Sequence, residues 1–342
     1  MRPKGAFTQF TEELRDPMKV NSIIVRQTGG PEVLEYTQQE IPEPGAGQAV
    51  VRNRAIGLNF AEIYVRAGRN PPPLPFTPGI EGAGMVEAVG PGVTEVKVGD
   101  RVAYAGAPMG SYADARVMSS RALVKLPDVI SEETAAAAML KGLTAQYLLH
   151  STYAVKPGDT VLVHAAAGGV GLIMCQWAKH MGATVIGTVS TADKARLAAA
   201  SGCDYPINYT TEDFVARVKE ITKGELLPVV YDSVGQTTFM KSLDCLRPLG
   251  LLASFGQSSG PIPPFDIGIL GAKGSLYLTR QGLGTHIAKR EELEKRSKML
   301  FDTLASGAVK VEVRRRFALK DASQAHRVLG ERETVGSSLL IP

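Results

Sequence analysis

From Ser22 to about Lys125 the apolar residues recur in short alternating runs broken by Gly and Pro: SIIVRQ, QAVVRNRAIGLN, GAGMVEAVG, DRVAYA, SYADARVM and ALVKLP. A period of two with turn residues at this spacing predicts an antiparallel, barrel-like β unit. Within it the proline-rich segment Asn70–Pro78 has neither the N–H groups nor the φ freedom for a helix or a central strand, and reads as a stiff surface loop.

After Ser131 the period changes. SEETAAAAMLKGLTAQYLLHSTY reads as a helix, with Ser131 at its start and Glu132 and Glu133 in the first turn, where carboxylates suit the helix dipole. From Thr160 strand and helix alternate: TVLVHA, GGVGLIMCQWAKHMG, ATVIGTV, TADKARLAAASG, YPINY, EDFVARVKEITKG, PVVYDSV, TTFMKSLDCLRPLG, LLASFG and SLYLTR. Such alternation predicts an α/β fold with a doubly wound parallel sheet. A last helix, REELEKRSKMLFDTLASG, leads to VKVEVRRRFAL and GSSLLIP, strands that resemble the first unit, so the chain is expected to return there. The first 18 residues stand outside both patterns and read as an extension ahead of an alternative start at Met18.

Composition narrows the class. The 342 residues exceed one typical domain, and 44% hydrophobic content is ample for a core. A net charge of +4, spread along the chain, gives no basic stripe of the nucleic-acid kind. Cys175, Cys203 and Cys245 lie far apart in none of the zinc or disulfide spacings, which fits a reducing cytoplasm. No apolar run has the length of a membrane span, and the N-terminus lacks the apolar core of a secretion signal.

The chemistry centres on VLVHAAAGGVGLIMCQWAKH. Ala166-Ala167-Gly168-Gly169-Val170-Gly171 is a G-x-G-x-x-G dinucleotide fingerprint with Ala in its first place, between an apolar strand and a helix. Gly168 lets the backbone approach a pyrophosphate, Gly171 lets the helix pack on the strand, and the helix N-terminus offers free N–H groups and positive dipole. The strand Thr184–Val189 then ends in Ser190-Thr191-Ala192-Asp193-Lys194. An acid at the strand end would bind a ribose 2′-hydroxyl; two hydroxyls and a lysine, with Asp193 displaced onto the next helix, suit a 2′-phosphate and hence NADPH. The bland alternative makes Ser190 only a helix cap and Lys194 a solvated side chain. His164 reads as a hydrogen-bonded packing residue and Cys175 as inert core.

The segments GGPEVL, AIGLNFAEIYVRAG, PGIEGAGMVEAVG, KVGDRV, LKGLTAQYLL, HAAAGGVGLIMCQWAKHMGA, VVYDSVG, SFGQSSG, GSLYLTR and GSSLLIP together resemble the zeta-crystallin-like NADPH:quinone oxidoreductases of the medium-chain dehydrogenase/reductase superfamily. The resemblance runs from about Val20 to Pro342. It implies a GroES-like β-barrel domain at 19–141 and 281–342, a Rossmann NADPH-binding domain at 142–280, and the extension at 1–18. Zinc alcohol dehydrogenases of the superfamily use a Cys and a His where this chain has Asn59 and Ile80, so no metal is expected.

By the same resemblance Asn59 and Tyr64 are the expected catalytic residues, lining the nicotinamide and quinone cleft with Phe60. Lys141, Thr144 and Tyr147 are expected to approach the cofactor. Gly168, Gly169 and Val170 should take the pyrophosphate, Ser190, Thr191 and Lys194 the 2′-phosphate, and Tyr209 should lie near the adenine. Val234, the run Phe255, Gly256, Gln257 and Ser258, and the loop Gln281, Gly282 and Leu283 should border ribose and nicotinamide, with Arg332 reaching a phosphate. Gln257 stands where relatives carry Asn, and the loop around Gln281 also departs from them. Tyr64 can serve as proton donor or merely as a cleft wall, and Asn59 can simply satisfy backbone groups.

The expected activity is reduction of quinones by NADPH without metal, by hydride transfer or one-electron steps. The alternatives are an enone or alkenal reductase, which asks more of an acid such as Tyr64, and an RNA-binding zeta-crystallin-like protein. The last strand of the parallel sheet, within Gly274–Thr279, offers an apolar edge, and a homodimer is expected.

Overall fold

A computed structural model describes residues 17–106, 108–331 and 335–342. β1 (Met18–Ile24) and β2 (Glu35–Ile41) form an antiparallel ribbon. β3 (Gln48–Gly57), β4 (Glu81–Val89), β5 (Arg101–Ala105), β6 (Ala115–Ser119) and β7 (Val124–Lys125) make an antiparallel sheet in which β3 is flanked by β4 and β6. A short helix, α1 (Phe60–Arg66), follows β3. Ala49, Val51, Val86, Val102 and Tyr104 pack into one cluster, while the intervening Val50 and Ala103 are buried in others, so both faces of these strands are covered.

The helix after Ser131 is α2 (Glu132–Tyr147), and the Ser131 Oγ accepts from the Thr134 N–H at 3.1 Å. Ala135, Ala136, Ala137 and Ala138 are all buried, so the helix is enclosed on every side. It packs on β3, β4 and β5 as well as on later helices, and its small side chains let those layers come close.

β8 (Thr160–Val163), α3 (Gly169–His180), β9 (Thr184–Val189), α4 (Ala192–Ala200), β10 (Tyr205–Asn208), α5 (Phe214–Ile221), β11 (Leu227–Asp232), α6 (Phe239–Leu243), β12 (Leu246–Ser254), α7 (Gly268–Ala272) and β13 (Tyr277–Arg280) complete the alternating part. The six strands are parallel in the order β10-β9-β8-β11-β12-β13, the Rossmann arrangement with its switch point between β8 and β11. Several boundaries differ from the pattern: β1 begins at Met18, ahead of the expected Ser22, the α-helix expected through Tyr153 ends at Tyr147, and the helix expected through DCLRPLG stops at Leu243, with β12 beginning at Leu246. Leu246 is buried and pairs with Leu227, and the irregular register beyond it accommodates Pro248.

After α8 (Leu283–His286) and α9 (Arg290–Ala305), the chain returns to the first sheet through β14 (Val313–Ala318), α10 (Ala322–Gly330) and β15 (Ser337–Ile341). β15 pairs antiparallel with β3, but β14 and β15 are parallel to each other, because α10 crosses over between them. Cys175, Cys203 and Cys245 are buried, all three within the parallel-sheet part; the contact with Cys203 and burial together push the Cys175 thiol well above its usual range. No helix of the described residues is long and apolar enough to cross a membrane.

Candidate active site

The glycine turn joins β8 to α3. Gly168 is the N-cap of α3 in an extended conformation, leaving Gly169 and Val170 in the first turn with their N–H groups at the helix head. A side chain at Gly171 would place its Cβ 2.3 Å from the Ala165 carbonyl oxygen, so only glycine permits this approach. Ala166, in the fingerprint's first place, does not have a positive φ; the left-handed residue is Ala165, at φ 54°. The space for the Ala166 methyl comes from the neighbouring strand, where a Cβ on Gly187 would lie 2.6 Å from it. The fingerprint glycine is thus replaced by a methyl whose room is made on β9.

The other expected nucleotide contacts gather at the carboxyl ends of the same strands. Ser190 follows β9, and the Lys194 ammonium donates to its Oγ at 3.2 Å. The cap of α4 is Thr191, whose Oγ1 accepts from the Lys194 N–H, so Ser190 is not the cap. Asp193 is exposed and pairs with Arg196 along the helix. Tyr209 follows β10 and is exposed, its N–H bonded to the Val189 carbonyl. Val234 follows β11, fixed by its N–H to Asp232 Oδ1 at 2.7 Å. Phe255, Gly256, Gln257 and Ser258 follow β12; the Phe255 and Ser258 N–H groups bond to the Asp232 and Ser233 carbonyls. Gln281, Gly282 and Leu283 follow β13, where Gln281 Oε1 accepts from Thr152 Oγ1 at 2.6 Å and lies 2.7 Å from His286 Nε2. Crevices outside the carboxyl ends of such strands are where doubly wound sheets bind ligands. Arg332 lies outside the described residues.

Three residues of α2 face this region differently. Lys141 lays its stem against Gly169, but its ammonium is paired with Glu81 Oε2 at 3.0 Å. Thr144 Oγ1 donates back to the Leu140 carbonyl at 2.7 Å. Tyr147 is buried and stacked on His286 with ring centroids 4.1 Å apart, and burial pushes its phenol up to about 12. His164, buried beside the glycine turn, bonds to the Thr188 and Ser242 hydroxyls, and burial lowers its pKa; it packs, as read from the sequence.

On the β side, Asn59 stands at the N-cap position of α1 without a side-chain capping bond; its amide instead donates to Glu81 Oε2 at 3.0 Å and to Glu62 Oε1 at 3.4 Å. Glu81 also accepts from the Leu140 N–H at 2.6 Å, so two helices and β4 meet on one carboxylate. Glu62 is buried with Oε1 near the Ile80 N–H, while its Oε2 has no partner. Loss of solvation raises its pKa from 4.5 to about 7, against the opposing pull of its own backbone N–H and of Lys141. Sequence reading missed both carboxylates. Glu81 lay in view inside PGIEGAG, and Glu62 stands three residues after Asn59, one helical turn on. Among the described residues no group of three or more His, Cys, Asp or Glu is arranged to hold a metal.

Phe60 and Tyr64 project from α1 with ring centroids 5.7 Å apart, both half-buried. The Arg69 guanidinium lies 4.7 Å over the Tyr64 ring and donates to Gln257 Oε1 at 3.0 Å, which brings the α1 region against the loop after β12. Arg280 donates to the Gly256 carbonyl at 3.1 Å from the end of β13. Neither arginine was singled out in the sequence.

Residues 45–128 match the alcohol dehydrogenase GroES-like domain, and residues 169–300 match the family described as zinc-binding dehydrogenase. The chain is 53% identical to a quinone oxidoreductase of Pseudomonas aeruginosa, over 92% of this chain and 97% of that protein. This chain is a member of the quinone oxidoreductase family. The membership extends to structure: an Escherichia coli quinone oxidoreductase crystallised with NADPH superposes with a TM-score of 0.93 at 50% identity, covering 94% of this chain and all of the other. A 2-haloacrylate reductase of a Burkholderia species is 46% identical over 94% of this chain and 99% of its own length. One of the two matched families is described as zinc-binding; Asn59 and Ile80, the positions at which the resemblance implied zinc ligands in other members of the superfamily, are an amide and an alkyl side chain.

Proposed function

We propose that the protein is an NADPH-dependent quinone reductase working without metal. The pairing of Lys194 with Ser190 at the end of β9, with Asp193 turned to Arg196, carries the cofactor assignment: a cation and two hydroxyls stand where a 2′-phosphate would lie. Family membership and the NADPH in the E. coli structure support it. In this reading Gly168, Gly169 and Val170 hold the pyrophosphate at the head of α3. Ser190, Thr191 and Lys194 hold the 2′-phosphate and Tyr209 flanks the adenine. Val234, residues 255–258 and residues 281–283 border the ribose and nicotinamide. Lys141, Thr144 and Tyr147 support this floor from α2.

NADPH, once bound, supplies the reducing equivalents. The chain's own residues orient the acceptor: Phe60 and Tyr64 form its wall, the Tyr64 hydroxyl can donate a hydrogen bond to it, and Asn59 fixes the start of α1 beneath them. Substitution Lys194→Ala is expected to weaken NADPH binding about tenfold or more while sparing NADH, measured by fluorescence titration. Equal affinity of the unaltered protein for NADPH and NADH would sink the 2′-phosphate assignment.

The Burkholderia relative favours one second reading, reduction of an activated alkene. Parallel rates with a small benzoquinone and an enone separate the two, and a clear enone preference would replace the first. The division into a catalytic unit at 19–141 and 281–342 and a nucleotide unit at 142–280 is supported by β15 pairing with β3. We place the enzyme in the cytoplasm, in keeping with three buried free thiols. A homodimer through edge strand β13, whose Tyr277 is 60% exposed, completes the proposal. A sedimentation profile of a monomer would refute it.

A further inference from the structure

Arg69 and Arg280 approach one place from opposite units. Arg69 follows α1 and Arg280 ends β13, yet they bond to adjacent residues of one loop, Gln257 and Gly256. Arg69 covers the Tyr64 ring, and the Tyr64 side chain is close enough to bear on the charge of Arg280. Among the described residues neither guanidinium is in an ion pair with a carboxylate. The nearby carboxylate of Asp232 is already engaged by the Val234 and Gly235 N–H groups and the Thr238 hydroxyl. The Arg280 side chain is exposed at the end of β13, and the solvation it does lose, with the repulsion of Arg69 as a lesser cause, lowers its pKa.

Two guanidinium groups bonded to adjacent residues of one loop and lacking a carboxylate partner repel each other, and an anion that reaches both relieves the repulsion. A guanidinium offers paired donors that match the two oxygens of a carboxylate. Tyr64 beside them supplies an aromatic face and a hydroxyl for a flat ring.

We propose that Arg69, with Arg280, makes this an acceptor site selective for quinones that carry a carboxylate group, Arg69 being the residue that sets the preference. This rests on the quinone reading of the same crevice and adds the charge of the acceptor to it. The cofactor's phosphates are the other source of negative charge, and the test separates them.

The probes are 2,5-dihydroxybenzoate and 1,4-dihydroxybenzene, which differ by one carboxylate and cannot accept electrons from NADPH. Their binding to the NADPH-loaded protein is followed by NADPH fluorescence. The benzoate is expected to bind at least about tenfold more tightly, a preference that Arg69→Leu abolishes, Arg69→Lys partly keeps and added salt weakens. Thermal melting of each variant reports whether it folds. Equal affinity for the two probes, no binding of either, or a preference that survives in a folded Arg69→Leu would overturn the proposal. So would an Arg69→Leu defect confined to NADPH binding measured alone, which would assign the arginine to the cofactor. Failure of the quinone reading would show itself separately, as an unaltered protein that does not reduce unsubstituted benzoquinone.

Discussion

The head of α3 and the buried cluster at the start of α1 are both polar sites at element termini, but they are built from opposite materials. The first is made of backbone: Gly169, Val170 and Gly171 contribute N–H groups of the first turn, and Gly168, Gly169 and Gly171 the absence of side chains. The second is made of side chains: Asn59, Glu62, Glu81 and Lys141 bond to one another across β4, α1 and α2, with Glu62 Oε2 left without a partner. A backbone site has few acceptable sequences, because its geometry excludes Cβ atoms. A side-chain cluster has many, since any set of donors and acceptors that closes on itself will serve.

If that contrast holds, the largest effect belongs to the backbone. Gly171→Val sets a Cβ against the Ala165 carbonyl, and the head of α3 must move. NADPH affinity is expected to fall by about a hundredfold or more, or the protein to be insoluble, a carbonyl clash being costlier than a lost contact. A titration showing near-normal affinity would break the comparison from its stronger side.

Next comes the cluster. Glu81→Ala leaves the buried Lys141 ammonium without its counter-charge, at a cost of about 3–5 kcal/mol, seen as a fall in melting temperature. Removing both charges together, as Glu81→Leu with Lys141→Met, should restore much of the loss, because an apolar pair can replace a buried ionic one. If the double variant were no better than the single one, the cluster would be as intolerant of substitution as the glycine turn.

The smallest effect sharpens the picture through pH. Glu62 holds its proton up to about 7 in the folded protein, above the ordinary 4.5. Between those values the unfolded chain has released a proton that the folded one keeps, so raising pH lowers stability across that window, with no further change from this group above it. Glu62→Gln removes the contribution, and the fall in melting temperature from about pH 5 to about pH 8 should become shallower. Parallel profiles for the two proteins would mean that Glu62 ionises freely in its pocket.

The same contrast explains what could be read in the sequence. The order of strands and helices, the glycine turn and the ends of the parallel strands follow from periodicity and from glycine, both local signals. Ala166 looked anomalous only because its explanation, Gly187, lies on the neighbouring strand. Glu62, Glu81 and Arg69 drew no attention because a charged residue in a short motif looks the same whether it ends in solvent or under two helices. Their roles arise where β4, α1 and α2 converge, a meeting that no single segment encodes. The parallel pairing of β14 and β15 was likewise invisible until α10 was seen to cross between them.

The placement of the cysteines gives the molecule an internal reporter. Cys175, Cys203 and Cys245 are buried and belong to the parallel-sheet part, while the β sheet and its ribbon carry none. A thiol reagent in excess therefore times the opening of one half of the protein alone. Ligands that steady the nucleotide floor should slow the labelling, and loosening confined to the other half should leave the clock running at its usual rate.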